Sequence, residues 1–137
     1  MIEIHIDYEG DLHCRAVHGP SGAQIATDAP LDNEGRGAAF SPTDLTAASL
    51  GTCMVTIMGI YARRKGLPID GTKVRVGKEM GTAPPRRIAR LALRIEVPLP
   101  PDHPECRALV AAADGCPVKR SLHPEVAVEV EWIWTGA

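Results

Sequence analysis

The chain has 137 residues, of which 45% are hydrophobic and 23% charged, a usage that predicts one folded domain of ordinary size and excludes a disordered chain or a coiled coil. Fifteen Lys and Arg against seventeen Asp and Glu leave a formal charge of −2, so no overall field draws the protein to nucleic acid or to an anionic membrane. One Phe, two Tyr and two Trp are too few for a base-stacking platform, and the core is expected to be aliphatic.

Ile2, Ile4 and Ile6 alternate with Glu3, His5 and Asp7, the period of a half-buried strand. This start has neither the basic residues nor the apolar run of a signal peptide, which predicts a cytoplasmic protein whose cysteines are not paired for structure. Residues 12–17 and 23–27, separated by turn residues, continue an antiparallel meander. Residues 28–40 contain Pro30, Asp32, Asn33, Gly35 and Gly37 and read as a long loop, either a plain connection or a cover over a site.

Ser41, Pro42 and Asp44 form a strong helix start, with Ser41 as N-cap and a carboxylate at the third helical position. No charge appears between Leu45 and Ala62, after which Arg63, Arg64 and Lys65 precede a Gly66 stop, so one helix is predicted over 42–65. Eighteen uncharged residues reach the length of a membrane span, but the threonines, serine and glycines within them and the amphipathic strands around them favour a soluble core helix. A helix apolar nearly all round needs cover on every side, and small residues at Ala48, Thr52 and Gly59 would admit a close neighbour. In so short a chain a second subunit is the expected source of that cover.

Residues 72–79 and 86–97 alternate as a hairpin, with Leu91, Leu93, Ile95 and Val97 on one face and Arg90, Arg94 and Glu96 on the other. A helix over 86–96 is the competing reading, since Ile88, Leu91 and Ile95 also fit a helical stripe. Arg86, Arg87, Arg90 and Arg94 read as a solvated strand face or, less simply, as an anion patch. A short helix is predicted over 104–113, a turn or second short helix over 116–121, and a last strand near 126–134. The plan is α+β, in the order β-β-β-α-β-β-α-β.

Four cysteines, at 14, 53, 106 and 116, show no C-x-x-C pair and no zinc-finger spacing, so no metal site is expected. By position alone Cys53 is an inert thiol in the middle of an apolar helix. Cys116 lies before Pro117 at a predicted helix start with Lys119 and Arg120 within a turn, where a thiolate is favoured. Cys14 and Cys106 read as packing residues, and the five histidines select no Cys–His dyad.

The run SPTDLTAASLGTC at 41–53, the YARRKG at 61–66 and the GCPVKR at 115–120 together resemble the OsmC/Ohr family of osmotically inducible and organic hydroperoxide resistance proteins. The resemblance covers nearly the whole chain. It implies a single OsmC-like domain over 1–137, with a two-layer fold of antiparallel sheets around a long central helix, and an intertwined homodimer. It implies a cofactor-free thiol peroxidase for small organic hydroperoxides, with Cys53 as peroxidatic and Cys116 as resolving cysteine and an external dithiol as reductant. Such sites also hold an arginine and its carboxylate near the thiolate. Here the family's Glu position is Thr43, with Asp44 next to it, and the position nearest its Arg is Asp28; Arg36, or Arg15, is the candidate cation. The rival reading is a relative that senses redox state or binds an apolar ligand with little turnover.

Overall fold

The computed structural model describes residues 1–137, which divide into two compact units, Met1–Thr46 and Ala47–Ala137.

The first unit is a three-stranded antiparallel meander, β1 (Ile4–Gly10), β2 (His13–His18) and β3 (Gln24–Asp28), followed by a 3-10 turn at Leu31–Asn33. Its turn at 10–12 takes three successive positive φ angles, at Gly10, Asp11 and Leu12. The expected half-burial of the first strand is not found: Ile4, Ile6 and Tyr8 are all exposed. Asp28 and Ser41 are the buried residues of this unit, so polar bonds and not an apolar core hold its loop.

The long helix α1 (Pro42–Lys65) starts and ends where its capping signals put it. Asp44 N–H donates to Ser41 Oγ at 3.1 Å and Ser41 N–H to Asp44 Oδ2 at 2.9 Å, a reciprocal cap with Asp in the place usually taken by Glu.

The second unit contains most of α1 and a three-stranded sheet, β4 (Lys73–Met80), β5 (Ile88–Val97) and β6 (Ala127–Trp134), with α2 (Cys106–Asp114) and α3 (Pro117–Ser121) between its last two strands. β4 and β5 pair antiparallel, whereas β5 and β6 pair parallel, so the chain must cross back over seven residue steps, about 23 Å at ~3.3 Å per residue, before β6 can start. The strand reading of 86–96 holds from Ile88 onward. The whole apolar core lies here: Leu50, Met54 and Met58 of α1 meet Leu91, Ile95 and Val97 of β5 and Leu109 of α2, all fully buried.

α1 is long and apolar enough to span a membrane by composition, with a mean hydropathy of 1.5 over its best window. One face of it packs into this core, and the outer face carries Thr52, Thr56 and Ile60. Thr52 and Thr56 Oγ1 donate back to Ala48 and Thr52 carbonyls at 2.9 and 2.7 Å. The close approach falls at Gly51 and not at Gly59: a Cβ on Gly51 would stand 2.8 Å from Val76 Cγ2, while one on Gly59 would meet nothing.

On the outer face of the second sheet Arg87, Arg90 and Arg94 are paired. Arg90 donates to Glu79 and Glu129 at 2.8 and 2.7 Å, Arg94 lies 3.4 Å from Glu96, and Arg87 lies 3.7 Å from Glu125. This is the solvated, charge-balanced strand face; the acidic partners remove the case for an anion patch.

Candidate functional site

Cys53 and Cys116 come together. Cys53 lies in the middle of α1 on a partly buried face against the core, and Cys116 is fully buried at the cap of α3. The Cys53 side chain is close enough to act on the Cys116 thiol. Position along the helix alone predicts an inert Cys53; the structure places a second cysteine beside it.

The local sequence explains the placement of Cys116. Gly115 closes α2 by donating to the carbonyls of Ala111 and Ala112 at 3.2 Å, and Cys116 N–H donates to Ala113 at 3.1 Å. Pro117 then begins α3, leaving the Cys116 sulfur to accept the Lys119 N–H at 3.3 Å. Burial pushes the Cys116 thiol above its ordinary range, and the bond with Cys53 and its charge push it further; the N–H groups of Lys119 and Val118 act the other way. Cys116 therefore keeps its proton at neutral pH. The Lys119 ammonium is engaged by Asp114 at 2.9 Å. The pair thus consists of one partly exposed cysteine and one buried cysteine.

The other two cysteines stand apart from this pair. Cys14 is in β2, opposite Thr27 and Tyr8. Cys106 Sγ donates to the Pro100 carbonyl at 3.4 Å, and burial raises its pKa.

Arg36 belongs to the first unit, exposed, with its guanidinium 3.9 Å from Asp28 Oδ1. Arg15 stands 3.4 Å from Asp7 and 3.9 Å from Glu9. Asp28 is the centre of this unit's polar network. It accepts from His13 Nδ1 at 2.5 Å and from Ala38 N–H at 2.9 Å, and its own N–H donates to the Phe40 carbonyl at 3.1 Å. The His13 bond leads in holding the Asp28 carboxyl below its ordinary range against the cost of burial, with Ala38 N–H and Arg36 adding to it. Thr43 Oγ1 lies 3.2 Å from Ser41 Oγ, within the helix start.

Two polar contacts were not foreseen. The His13–Asp28 pair follows from the β2–β3 register, which sets these residues opposite each other. The other joins Tyr61 of α1 to Glu105, just before α2, at 2.5 Å; its partners are distant in sequence, and no local pattern signals it.

Fold and site together define an α+β protein in which a cysteine of a long helix faces a buried cysteine at the cap of a short one. The description "OsmC-like protein" matches residues 35–131. The chain belongs to the OsmC-like family. A Psychrobacter arcticus 273-4 structure, provisionally named an osmotic stress induced and detoxification response protein, is 42% identical, with 96% of each chain covered and a TM-score of 0.90. An organic hydroperoxide resistance protein OsmC of Legionella pneumophila shares the fold at 17% identity, with 97% of this chain and 96% of that one covered and a TM-score of 0.77. The organic hydroperoxide resistance protein OhrB of Bacillus subtilis does so at 17%, 96% and 97%, with a TM-score of 0.70. No curated protein matches the sequence.

Proposed function

We infer that the protein is a thiol peroxidase for small organic hydroperoxides, in which Cys53 is the nucleophile and Cys116 resolves it. The observation that carries this reading is the proximity of the partly exposed Cys53 to the buried Cys116. The Cys53 thiolate attacks the terminal peroxide oxygen, the O–O bond breaks, and the alkoxide leaves as the alcohol after taking a proton. Cys53 is then a sulfenic acid. The Cys116 sulfur displaces its oxygen as water, forming a 53–116 disulfide, and an external dithiol restores both thiols by exchange. No cofactor enters. The compartment this reading implies is the cytoplasm, whose reducing pool keeps the pair ready.

Arg36 is the cation we assign to the Cys53 thiolate, with Asp28 in the part of its carboxylate. The dimer belongs to the same reading, with residues 1–137 acting as one functional domain. The first unit buries no apolar side chain and leaves Ile4, Ile6 and Tyr8 open to a second chain.

Anaerobically reduced protein treated with one equivalent of cumene hydroperoxide tests the proposal. The expected product has lost two hydrogens and carries a 53–116 crosslink; Cys116→Ser traps the sulfenic acid, and Cys53→Ser consumes no peroxide. Slow oxidation, or modification confined to Cys14 or Cys106, overturns it. The replacement of the family's Glu and Arg by Thr43 and Asp28 favours one rival, a redox sensor or apolar-ligand binder. That rival forms the disulfide once and shows no sustained turnover with dithiol present.

A further inference from the structure

α2 is tied to α1 at two points. At its start, Tyr61 Oη donates to Glu105 Oε2 at 2.5 Å, a partly buried contact between residues 44 positions apart. At its far end, Cys116 meets Cys53. Tyr61 stands eight residues beyond Cys53, about 12 Å further along the same helix at 1.5 Å per residue. The segment from Glu105 to Cys116 must therefore run back along α1, antiparallel to it. Between the ties it is anchored by Leu109 and Ala113, both fully buried. It is also stiff at each end: Glu105 N–H donates to His103 Nδ1 at 3.1 Å, and Gly115 and Cys116 N–H groups both close back onto α2.

The Tyr61–Glu105 contact is well suited to last. The bond to Glu105 leads in raising the Tyr61 pKa above its ordinary value, so the phenol remains a donor throughout the physiological range. A phenol donating to a carboxylate is among the stronger neutral-to-charged bonds.

We propose that Tyr61 and Glu105 are positioning residues that hold α2 in the register bringing Cys116 within bonding reach of Cys53, and so control the closure of the disulfide and not the attack on peroxide. The inference rests on the peroxidase reading above. In the step concerned, the S–O bond of the Cys53 sulfenic acid breaks, the S–S bond forms, and the departing hydroxide leaves as water with the Cys116 thiol proton. Disulfide geometry is narrow, with Cα atoms about 4.4–6.8 Å apart and a sulfur–sulfur distance near 2.05 Å. A rigid α2 released at one end loses that register at the other. Attack on peroxide takes place at Cys53, to which neither Tyr61 nor Glu105 is bonded.

The test separates the two steps. Full-length wild type, Tyr61→Phe, Glu105→Gln and the double variant are pre-reduced and mixed with cumene hydroperoxide. Sulfenic acid is trapped with dimedone at millisecond intervals, and the 53–116 disulfide is followed by intact mass. Sulfenic acid should form within about twofold of the wild-type rate in every variant, while closure slows about tenfold in Tyr61→Phe, less in Glu105→Gln, which keeps a neutral acceptor, and no further in the double variant. Sulfinic acid should accumulate in Tyr61→Phe as excess peroxide competes with slow closure. Closure within twofold of wild type overturns the proposal, as does slowing of both steps in parallel. If Tyr61→Phe does not fold, Glu105→Gln carries the same comparison; if neither folds, the pair is structural and the proposal falls. A wild type that forms no 53–116 disulfide removes the peroxidase reading and the clamp together, whereas equal closure in wild type and variants removes the clamp alone.

Discussion

Asp28 organises a unit that has no buried apolar side chain. Its carboxylate takes His13 on one oxygen and the Ala38 N–H on the other, while its backbone N–H reaches Phe40, so one residue fixes both ends of the 29–40 loop. Because its folded pKa lies below the ordinary 3.8, the stability it contributes is present above that pH and is lost as pH falls through the lower, folded value. The Ala38 amide resonance should therefore titrate with a midpoint below 3.8 in a two-dimensional NMR series, and Asp28→Asn should abolish that titration. A midpoint at or above 3.8 would contradict the network. Little of this was legible beforehand. In the sequence Asp28 stands out only through the family resemblance, and its partner His13 is found by strand register, which a local pattern does not supply. The sulfur pair was legible only through family likeness, since the position of Cys53 alone pointed to an inert thiol.

Among the elements, α1 was the most legible, because its signals are local: a serine cap, a proline at the first position, a basic last turn and Gly66. Which face lies against what was not, since that depends on a sheet formed later in the chain. Gly51 and Gly59 make the distinction measurable. Gly51→Ala gains helix propensity of up to about 1 kcal/mol but drives a methyl onto the stiff Val76 side chain, and should be destabilised by about 1 kcal/mol net. Gly59→Ala meets open space and should gain up to about 1 kcal/mol. Urea unfolding of the two variants should move the midpoint in opposite directions; shifts of the same sign would mean that the packing of α1 is other than described.

For the whole molecule, composition and alternation were enough to give the α+β order, yet they left the pairing of the last strand open, because a β5–β6 pair can be antiparallel or parallel with the same apolar period. The uncovered first sheet has a consequence for assembly. If a second chain covers β1, sedimentation equilibrium should report twice the chain mass, and Ile4→Glu with Ile6→Glu should return it to the monomer value. A wild-type protein that sediments as a single chain would remove the dimer from the proposal.

The parallel pairing of β6 also bears on biosynthesis. β5 is the middle strand of its sheet, and one of its edges is filled by residues 127–134, followed by the Thr135 and Gly136 N–H groups donating to Val97 and Leu99. A nascent chain still short of that point exposes a bare hydrophobic strand edge on the ribosome. Folding of this unit must therefore wait until residues 127–136 have emerged, and any stalled or truncated product ending before them should be a substrate for chaperones and proteases.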